Sequence, residues 1–273
     1  MEKKCFYFVV ALLCTLTITS CVKGGSYREG SALGVLEYDS YKNKYIMNST
    51  IGPAISEDID AFLSNKSMVV GGCYKFDYRR DDDLKENYPD NIQTNGYCVI
   101  SIKEYTSIPL FYIKSTLTDT TEILDEEIAV LVPSDGFPYY VNKHLFLTQV
   151  TAANVTSELR WDLSYDYITM APSVDSDGKR YYDLYIRATR VNDGETIASN
   201  RQFFNAYYID TYLENSAKIE KELLGSKFDP NISTITLRFN YVSEIDNSNS
   251  KITWKSSTVN AVISTLIEVE EYY

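Results

Sequence analysis

The sequence predicts an all-β protein with two domains and one or two short helices. Apolar and polar residues alternate with a period of two along much of the chain, which is typical of half-buried strands. The clearest stretch is residues 234–241, where Ile235, Leu237, Phe239 and Tyr241 alternate with polar side chains. The 24 tyrosines and 11 phenylalanines also favour strands. A chain of 273 residues is long enough for one or two domains.

Composition and charge narrow the class of protein and of partner. The chain has 26 Lys+Arg against 38 Asp+Glu, a formal net charge of −12, and 44% hydrophobic residues. This composition is typical of a globular protein and excludes collagen, coiled coil and an extended disordered chain. Nucleic acids attract surfaces that are rich in Lys and Arg. We therefore expect no nucleic-acid partner for this acidic chain.

Residues 1–20 predict a signal peptide of the lipoprotein type. A short charged start is followed by an apolar run at residues 6–16, which is shorter than the roughly 20 residues that a membrane-spanning helix needs. Ile18-Thr19-Ser20-Cys21 resembles the lipobox of bacterial lipoproteins, in which the cysteine becomes the first mature residue and carries the acyl chains. The alternative is a secreted protein that is cut near Ser20, with Cys21 as an ordinary thiol.

Lipid attachment at Cys21 would hold the protein on a membrane. Several acyl chains together anchor stably, because each buried methylene contributes roughly 0.8 kcal/mol. Residues 21–33 are then expected to form a flexible tether, because Gly24, Gly25 and Ser26 follow shortly after the cysteine. The tether lacks the acidic run that serves as an export signal in some surface lipoproteins. We expect a lipoprotein of the outer membrane, with its periplasmic or surface orientation left open.

Residues 34–113 predict a small barrel. Strands are expected at residues 34–38, 44–49, 68–79 and 97–106. A short helix is expected from Ser56 to Leu63, because a capping residue is followed by acidic residues and by Ile59 and Phe62 on one face. Residues 79–95, rich in Asp and Asn, are expected to form a polar loop. This number and order of elements is typical of an OB-type barrel.

Residues 114–273 predict a β-sandwich, because strands recur over the whole segment. Residues 128–132 are apolar on both sides and stop at Pro133, as expected for a buried central strand. Turns are predicted at residues 175–178 and at residues 192–194, where Asp-Gly tolerates positive φ. A second helix is predicted from about Glu214 to Leu224, with a glycine as its stop signal.

Cys73 and Cys98 are the cysteines that remain once the signal peptide is removed and Cys21 is acylated. In an oxidising compartment they are a candidate disulfide, which would contribute roughly 3 kcal/mol by closing a loop of this length. Strand alternation places the two thiols on different faces, unless Gly71-Gly72 forms a bulge. A disulfide and two separate buried thiols both stay open. With His144 as the single histidine, these thiols do not supply a metal site.

The sequence predicts no catalytic residues, no cofactor-binding residues and no metal ligands. Hydrolase elbows, zinc-binding helices and phosphate-binding loops are absent from it. Glu126-Glu127, or Asp162 with Asp166, could act as a carboxylate pair, but an acidic chain contains such pairs by chance. The Asp-rich residues 81–83 and 175–178 lack the glutamate that completes a calcium loop, and we expect solvated turns there. The protein is therefore not expected to be an enzyme.

Three segments resemble one known family. The residues from Val69 to Tyr78 resemble that family's third barrel strand, and those from Tyr97 to Ile102 its closing strand. With the lipobox at residues 18–21, they make the chain similar to the NigD-like lipoproteins. The resemblance implies an N-terminal OB-like barrel followed by a C-terminal β-sandwich, and it supplies no catalytic residue or cofactor.

Adjacent tyrosines are the candidate binding feature. They occur as Tyr139-Tyr140, Tyr181-Tyr182, Tyr207-Tyr208 and Tyr272-Tyr273. In a strand, one ring of each pair faces the core and the other faces outward. Outward rings suit a sugar or a protein partner, although tyrosine also simply fits half-buried sheets.

We therefore expect a non-catalytic cell-envelope lipoprotein that acts as a binding or assembly module for a protein or glycan, with its ligand face on the C-terminal domain. The alternative is an immunity or protective lipoprotein of a bacteriocin-type system, which the bacteriocin-associated operon behind the family's name suggests.

Overall fold

The computed structural model describes residues 26–117, 119–132, 138–154, 157–192, 199–229 and 232–262. Strands dominate this part of the chain, so the predicted all-β class is confirmed. It also contains three α-helices, one more than predicted, and two 3₁₀ turns, Lys85–Asn87 and Gly225–Lys227. The signal peptide, Cys21 and the Tyr272-Tyr273 pair lie outside the described residues.

The N-terminal domain is a closed barrel. Its strands are β1 (Tyr27–Asp39), β2 (Lys44–Ser49), β3 (Ala54–Ile55), β4 (Cys73–Asp81), β5 (Cys98–Val99) and β6 (Ser101–Ile108). They form one sheet in the order β5-β3-β2-β1-β4-β6. Because Ile100 alone separates β5 from β6, one continuous segment runs parallel to β3 and then antiparallel to β4. This segment joins the two ends of the sheet, as in the predicted OB-type barrel.

The predicted helix between the second and third long strands is present as α1 (Asp58–Ser64). The hydroxyl of Ser56 accepts a hydrogen bond from the backbone N–H of Asp58, as the capping signal predicted. Ile59 is buried in the barrel core, and Phe62 packs against that core. The apolar face of this short helix therefore closes one side of the barrel.

A second helix, α2 (Pro89–Asn95), lies within the segment that we predicted to be a polar loop. Pro89 occupies the first turn, where its missing N–H has no cost, and Gly96 ends the helix at φ +70°. Ile92 is the one apolar residue of α2 that packs against the barrel core. With a single core-facing residue, the sequence of α2 shows no apolar residues at helical spacing. The prediction of a loop was wrong for this reason.

β1 begins earlier than predicted. Its pairing with β4 starts at Tyr27, so residues 27–33 belong to the barrel and not to the tether predicted for residues 21–33. The exposed polar residues of this part are held by ion pairs, such as Arg28 Nε to Asp82 at 2.6 Å. Backbone pairing with β4 makes residues 27–33 a strand, although their composition is typical of a linker.

The C-terminal domain is a β-sandwich. Its elements are β7 (Leu110–Tyr112), β8 (Glu127–Ile128), β9 (Tyr139–Val141), β10 (His144–Ala153), β11 (Leu159–Ser164), β12 (Ser173–Val174), β13 (Arg180–Arg190), β14 (Ser199–Tyr208), α3 (Asp210–Leu224), β15 (Thr234–Asp246) and β16 (Lys251–Val262). We call β7-β14-β10-β9 the barrel-facing sheet. We call β11-β13-β15-β16, with β8 and β12 also paired to β13, the distal sheet.

One core lies between these two sheets. Leu147 and Tyr207 of the barrel-facing sheet and Leu184 and Phe239 of the distal sheet belong to the same buried cluster. The alternating apolar residues predicted for β15 are all buried there. α3 adds Leu213 to the cluster, and it starts four residues before the predicted helix and ends before Gly225 as predicted.

Residues 128–132 are not a central strand. Ile128 pairs with Ala188 in the distal sheet, whereas Leu131 forms a bridge to Val150 in the barrel-facing sheet. The segment therefore crosses from one sheet to the other, and its apolar residues reflect burial between sheets. β13 and β14 likewise lie in different sheets, so they form no hairpin across the turn predicted at residues 192–194, most of which lies outside the described residues.

Pro109 is the only residue between β6 and β7. Since β7 pairs with β14, the chain changes sheets at Pro109, four residues before the boundary predicted after residue 113. An apolar cluster fills the junction of the two domains. It contains Leu33, Val35, Cys73 and Ile108 from the barrel and Val141, Phe146 and Ala206 from the sandwich. The domains are thus joined by a one-residue connection and a shared core.

Cys73 and Cys98 are both buried free thiols, so the candidate disulfide is not formed. Cys73 packs in the cluster between the domains, whereas Cys98 packs inside the barrel. The two thiols therefore lie on opposite faces of the barrel wall. Strand alternation had pointed to this second alternative, two separate buried thiols.

Candidate functional site

A cleft of about 680 Å³ opens between the barrel and the barrel-facing sheet. This volume lies in the range of about 300 to 1,000 Å³ that is usual for small-molecule sites. The barrel side of the cleft includes Ser31, Leu33, Thr50, Lys75, Thr106 and Ile108. The sandwich side includes Tyr139, Thr148, Gln202 and Phe204. Both domains are needed to build it.

Strand alternation decides which barrel residues reach the cleft. Ser31 and Leu33 of β1 line the cleft, whereas Ala32 between them belongs mainly to the barrel core. Lys75 of β4 lies directly between Leu33 of β1 and Thr106 of β6 in the sheet register. The barrel wall of the cleft is therefore a row of outward-facing residues across three neighbouring strands.

The sandwich wall is built in the same way. Thr148 and Phe204 are cross-strand partners on β10 and β14, and Gln202 is the next residue of β14 on the same face. Tyr139 of β9 pairs with Phe146, whose ring stacks on that of Phe204 with centroids 6.2 Å apart. Phe146 belongs to the apolar cluster between the domains, and Phe204 packs against that cluster.

The chemistry of the cleft is polar at its walls and apolar at its base. Hydroxyl side chains come from both domains, Gln202 adds an amide, and Tyr139 presents a ring that is about half exposed. Leu33, Ile108 and Phe204 also belong to the cluster at the domain junction or pack against it. Such a mixture of an apolar base and convergent polar groups is typical of a ligand site.

His144 lies elsewhere on the barrel-facing sheet and is structural. Its ring is buried, with Nδ1 2.6 Å from the carbonyl oxygen of Asn142 and an edge contact to the ring of Tyr208. Burial lowers the pKa of the imidazole below its usual value, against the smaller influence of the carboxylates of Glu37 and Asp210. A backbone carbonyl and an aromatic ring are the partners of a packed histidine.

One member of each acidic pair singled out in the sequence is held in an ion pair. Glu127 is bound by Arg187, and Asp162 by Lys114. The carboxylate of Asp175 accepts the N–H of Lys179 and the hydroxyl of Tyr181, which closes the predicted turn. In the described part of the chain, no group of three or more His, Cys, Asp and Glu side chains could hold a metal ion.

The tyrosine pairs alternate as predicted. Tyr207 and Tyr182 are buried in the sandwich core, and their neighbours Tyr208 and Tyr181 are partly exposed on the opposite faces. Among the described members of these pairs, Tyr139 alone lines the cleft. Most outward tyrosines therefore do not converge on one ligand face.

No helix within the described ranges is long and apolar enough to cross a membrane. The longest, α3, has 15 residues and carries five buried residues on the side that faces the sandwich.

The barrel has known relatives. Residues 24–106 match the family model of the lipoprotein OB domain. The match starts just before β1 and ends within β6, so it covers nearly the whole closed sheet. It confirms the predicted resemblance to lipoproteins with an N-terminal OB domain. No curated protein matches the chain in sequence.

Solved structures similar to this chain extend over both the OB domain and the sandwich. A crystal structure of an uncharacterized protein from Parabacteroides merdae has a TM-score of 0.70 and 18% identity, covering 86% of this chain and 99% of its own. A putative toxin-related protein from Parabacteroides distasonis has a TM-score of 0.50 and 10% identity, covering 87% and 96%. A NigD-like immunity protein from Bacteroides caccae has a TM-score of 0.45 and 11% identity, covering 86% and 96%. At such identities the first two show the shared fold alone.

Sequence reasoning found Tyr139 but missed the rest of the cleft. Lys75 lies on the OB domain, while Thr148 and Gln202 lie on the sandwich, far away in sequence. Each appears as an ordinary outward residue of a strand. No local signal could have brought them together, because the cleft depends on how the OB domain docks on the barrel-facing sheet.

Proposed function

We propose that this chain is a non-catalytic lipoprotein of the outer membrane, anchored through Cys21, that binds a glycan or protein partner in the cleft between its two domains. The observation that carries the proposal is the cleft itself. It has the size and lining of a ligand site and is built jointly by two domains that share a core. A one-residue connection at Pro109 keeps its two walls in place.

The short distance in sequence between Cys21 and the barrel supports the anchor. Four residues separate Cys21 from Ser26, the first described residue, and the family matched by the barrel is a lipoprotein family. At a fully extended rise of about 3.5 Å per residue, this link spans at most about 17 Å. An acylated Cys21 would hold the start of β1 close to the membrane.

The cleft would stand away from that membrane. Leu33 lies seven residues along β1 from Ser26, which is about 23 Å at the usual rise of a strand. The sandwich docks at this far part of β1. A ligand in the cleft would therefore approach from the envelope space and not from the lipid.

The pairing of the acidic residues supports a non-catalytic role. The carboxylates of Glu127 and Asp162 are engaged by Arg187 and Lys114, and His144 is packed against a carbonyl and a ring. General acid–base catalysis needs a group within hydrogen-bond reach of a bound substrate. None of these residues lines the cleft.

The anchor is tested by mass spectrometry of the mature N-terminal peptide and by protease treatment of intact cells. We expect an acylated peptide in the wild type and a non-acylated, released protein for Cys21→Ala. Digestion on intact cells would identify surface exposure, and protection would identify the periplasmic orientation. A wild-type protein without acylation would overturn the anchor.

Binding is tested with a glycan array and with capture from envelope extracts. Gln202→Trp fills the cleft from an exposed position, and Tyr139→Ala removes its ring. Tyr167→Ala removes a ring of similar exposure outside the cleft and is the matched control. We expect the two cleft variants to lose the ligand and the control to keep it. A flat response in both assays, or a ligand indifferent to the cleft variants, would overturn this role. Capture of a toxin instead would favour the immunity alternative.

A further inference from the structure

Lys75 is the only charged side chain among the described residues of the cleft lining. Its ammonium group has no ion-pair or hydrogen-bond partner in the part of the chain that the structure describes. Some exposed lysines of this acidic protein pair with carboxylates, as Lys103 does with Glu29 at 2.7 Å and Lys114 with Asp162, whereas Lys75 lines the cleft without such a partner. What distinguishes Lys75 is therefore its place in the cleft lining, where its ammonium group is available to a ligand.

The local register puts no carboxylate directly opposite Lys75; the nearest acidic positions on the same face are Asp77 of β4 and its cross-strand partner Glu104 of β6. The cross-strand neighbours of Lys75 are Leu33 and Thr106, which carry no charge. Asp77, the next residue of β4 on the same face, accepts a hydrogen bond from the hydroxyl of Ser31. Lys75 thus has uncharged partners on both neighbouring strands and places a positive charge at the cleft wall of a protein whose net charge is −12.

The remaining lining fits a carbohydrate. The half-exposed ring of Tyr139 can pack against the face of a sugar ring, as large stiff aromatic side chains do in binding sites. The hydroxyl of Thr148 and the amide of Gln202 can exchange hydrogen bonds with sugar hydroxyls. A protein partner would usually cover about 800 Å² of surface, whereas this cleft has the volume of a small-ligand site.

We propose that the cleft binds an acidic oligosaccharide, with Lys75 pairing with the carboxylate of a uronic acid and Tyr139 packing against its ring. The proposal rests on the cleft being the ligand site of the proposed function, and it names the class of that ligand. A charge-assisted hydrogen bond to a carboxylate provides the preference for an acidic over a neutral sugar.

The test is calorimetric titration of the full mature protein in detergent with trimers of galacturonate and of glucuronate, each as the free acid and as the methyl ester. The ester keeps the ring and removes the charge. We expect at least one free acid to bind about tenfold or more tightly than its ester, the usual effect of a hydrogen bond to a charged group. Lys75→Met should abolish this difference, and Lys75→Arg should retain it.

Lys251→Met is the matched control, because Lys251 is an exposed lysine of β16 outside the cleft. It should bind like the wild type. Equal affinity for acid and ester, no binding of any free acid, or an unchanged preference in Lys75→Met would each overturn the inference. If envelope capture still depends on Gln202 and Tyr139 in that case, the proposed function stands and only the ligand class is wrong.

Discussion

Arg187 and Glu127 form an ion pair that is almost completely removed from solvent. Nε and Nη2 of Arg187 lie 2.5 and 2.6 Å from the two carboxylate oxygens, and the side chains are 2% and 0% exposed. The same guanidinium group donates to the backbone carbonyls of Asp119 and Glu122, both at 2.5 Å. Arg187 therefore fastens residues 119–127 to β13 of the distal sheet.

Removing one partner of this pair should strongly destabilise the protein. We expect Glu127→Leu to lower the free energy of unfolding by about 3 to 5 kcal/mol, because it leaves a buried guanidinium group without its counter-charge. The double variant Glu127→Leu/Arg187→Leu should lose less than the sum of the single variants. Urea unfolding followed by circular dichroism measures all three. Additive losses would show that the two charges do not interact.

Gly34 marks a close approach within the barrel. A Cβ atom at this position would lie 2.8 Å from the carbonyl oxygen of Asn48 and 2.8 Å from the Met47 side chain. We expect Gly34→Ala to lower the melting temperature and to cost about 1 to 3 kcal/mol of stability, because the strands must move apart. Gly30→Ala on the same strand is the control.

A Cβ atom at Gly30 would meet only Tyr78, at an ordinary 3.5 Å. The free energy of unfolding of Gly30→Ala should therefore stay within about 0.5 kcal/mol of the wild type or rise slightly. Equal melting temperatures for the Gly34 and Gly30 variants would contradict the close approach seen at Gly34.

His144 should make stability depend on pH. Burial lowers the pKa of the folded imidazole, so the unfolded chain takes up the proton first as the pH falls below about 6.5. The unfolded state then binds more protons, and the free energy of unfolding decreases as the pH falls. Above that pH both states are neutral and the effect is absent.

We expect His144→Gln to lose less stability than the wild type between about pH 7.5 and about pH 5, which bracket the usual histidine pKa of about 6.5. Urea unfolding at each pH measures the loss. Carboxylates of lowered pKa, such as Asp183, lose stabilising charge in both proteins as the pH falls. The comparison with the variant therefore isolates the histidine. Parallel pH profiles would contradict the assignment.

Cys73 and Cys98 should resist modification in the native protein. Burial raises the pKa of the Cys73 thiol to about 12 and also raises that of Cys98. The reactive thiolate is therefore scarce as well as inaccessible. We expect iodoacetamide to label both residues only after unfolding, and a reducing agent to leave the melting temperature unchanged. A linked Cys73–Cys98 peptide in non-reducing mass spectra would contradict this prediction.

Strong local periodicity was sufficient to predict several elements. The alternation of Ile235, Leu237, Phe239 and Tyr241 predicted the buried face of β15, and all four are buried. The capping residue Ser56 and the apolar spacing behind it predicted α1 nearly to its bounds. Such patterns involve residues that are close in sequence, within one turn of helix or a few residues of strand. They can therefore be recognised without the structure.

Local composition gives the wrong prediction where contacts with distant strands decide the structure. Residues 27–33 have the composition of a linker, yet they form a strand because β4 pairs with them along their whole length. Residues 128–132 have the composition of a central strand, yet they cross between sheets because their pairing partners lie in both. In each case the partner strand lies tens of residues away.

The sequence by itself determined the lipobox resemblance, the all-β class, the order of barrel and sandwich, and which faces of the regular strands are buried. Only the tertiary structure decided that Lys75 and Tyr139 share a cleft and that Cys73 and Cys98 do not meet. The physical reason is that the alternation of apolar and polar residues shows only on which face of its own strand each side chain lies. Which two faces come together depends on register and domain docking, which are set by contacts between distant parts of the chain.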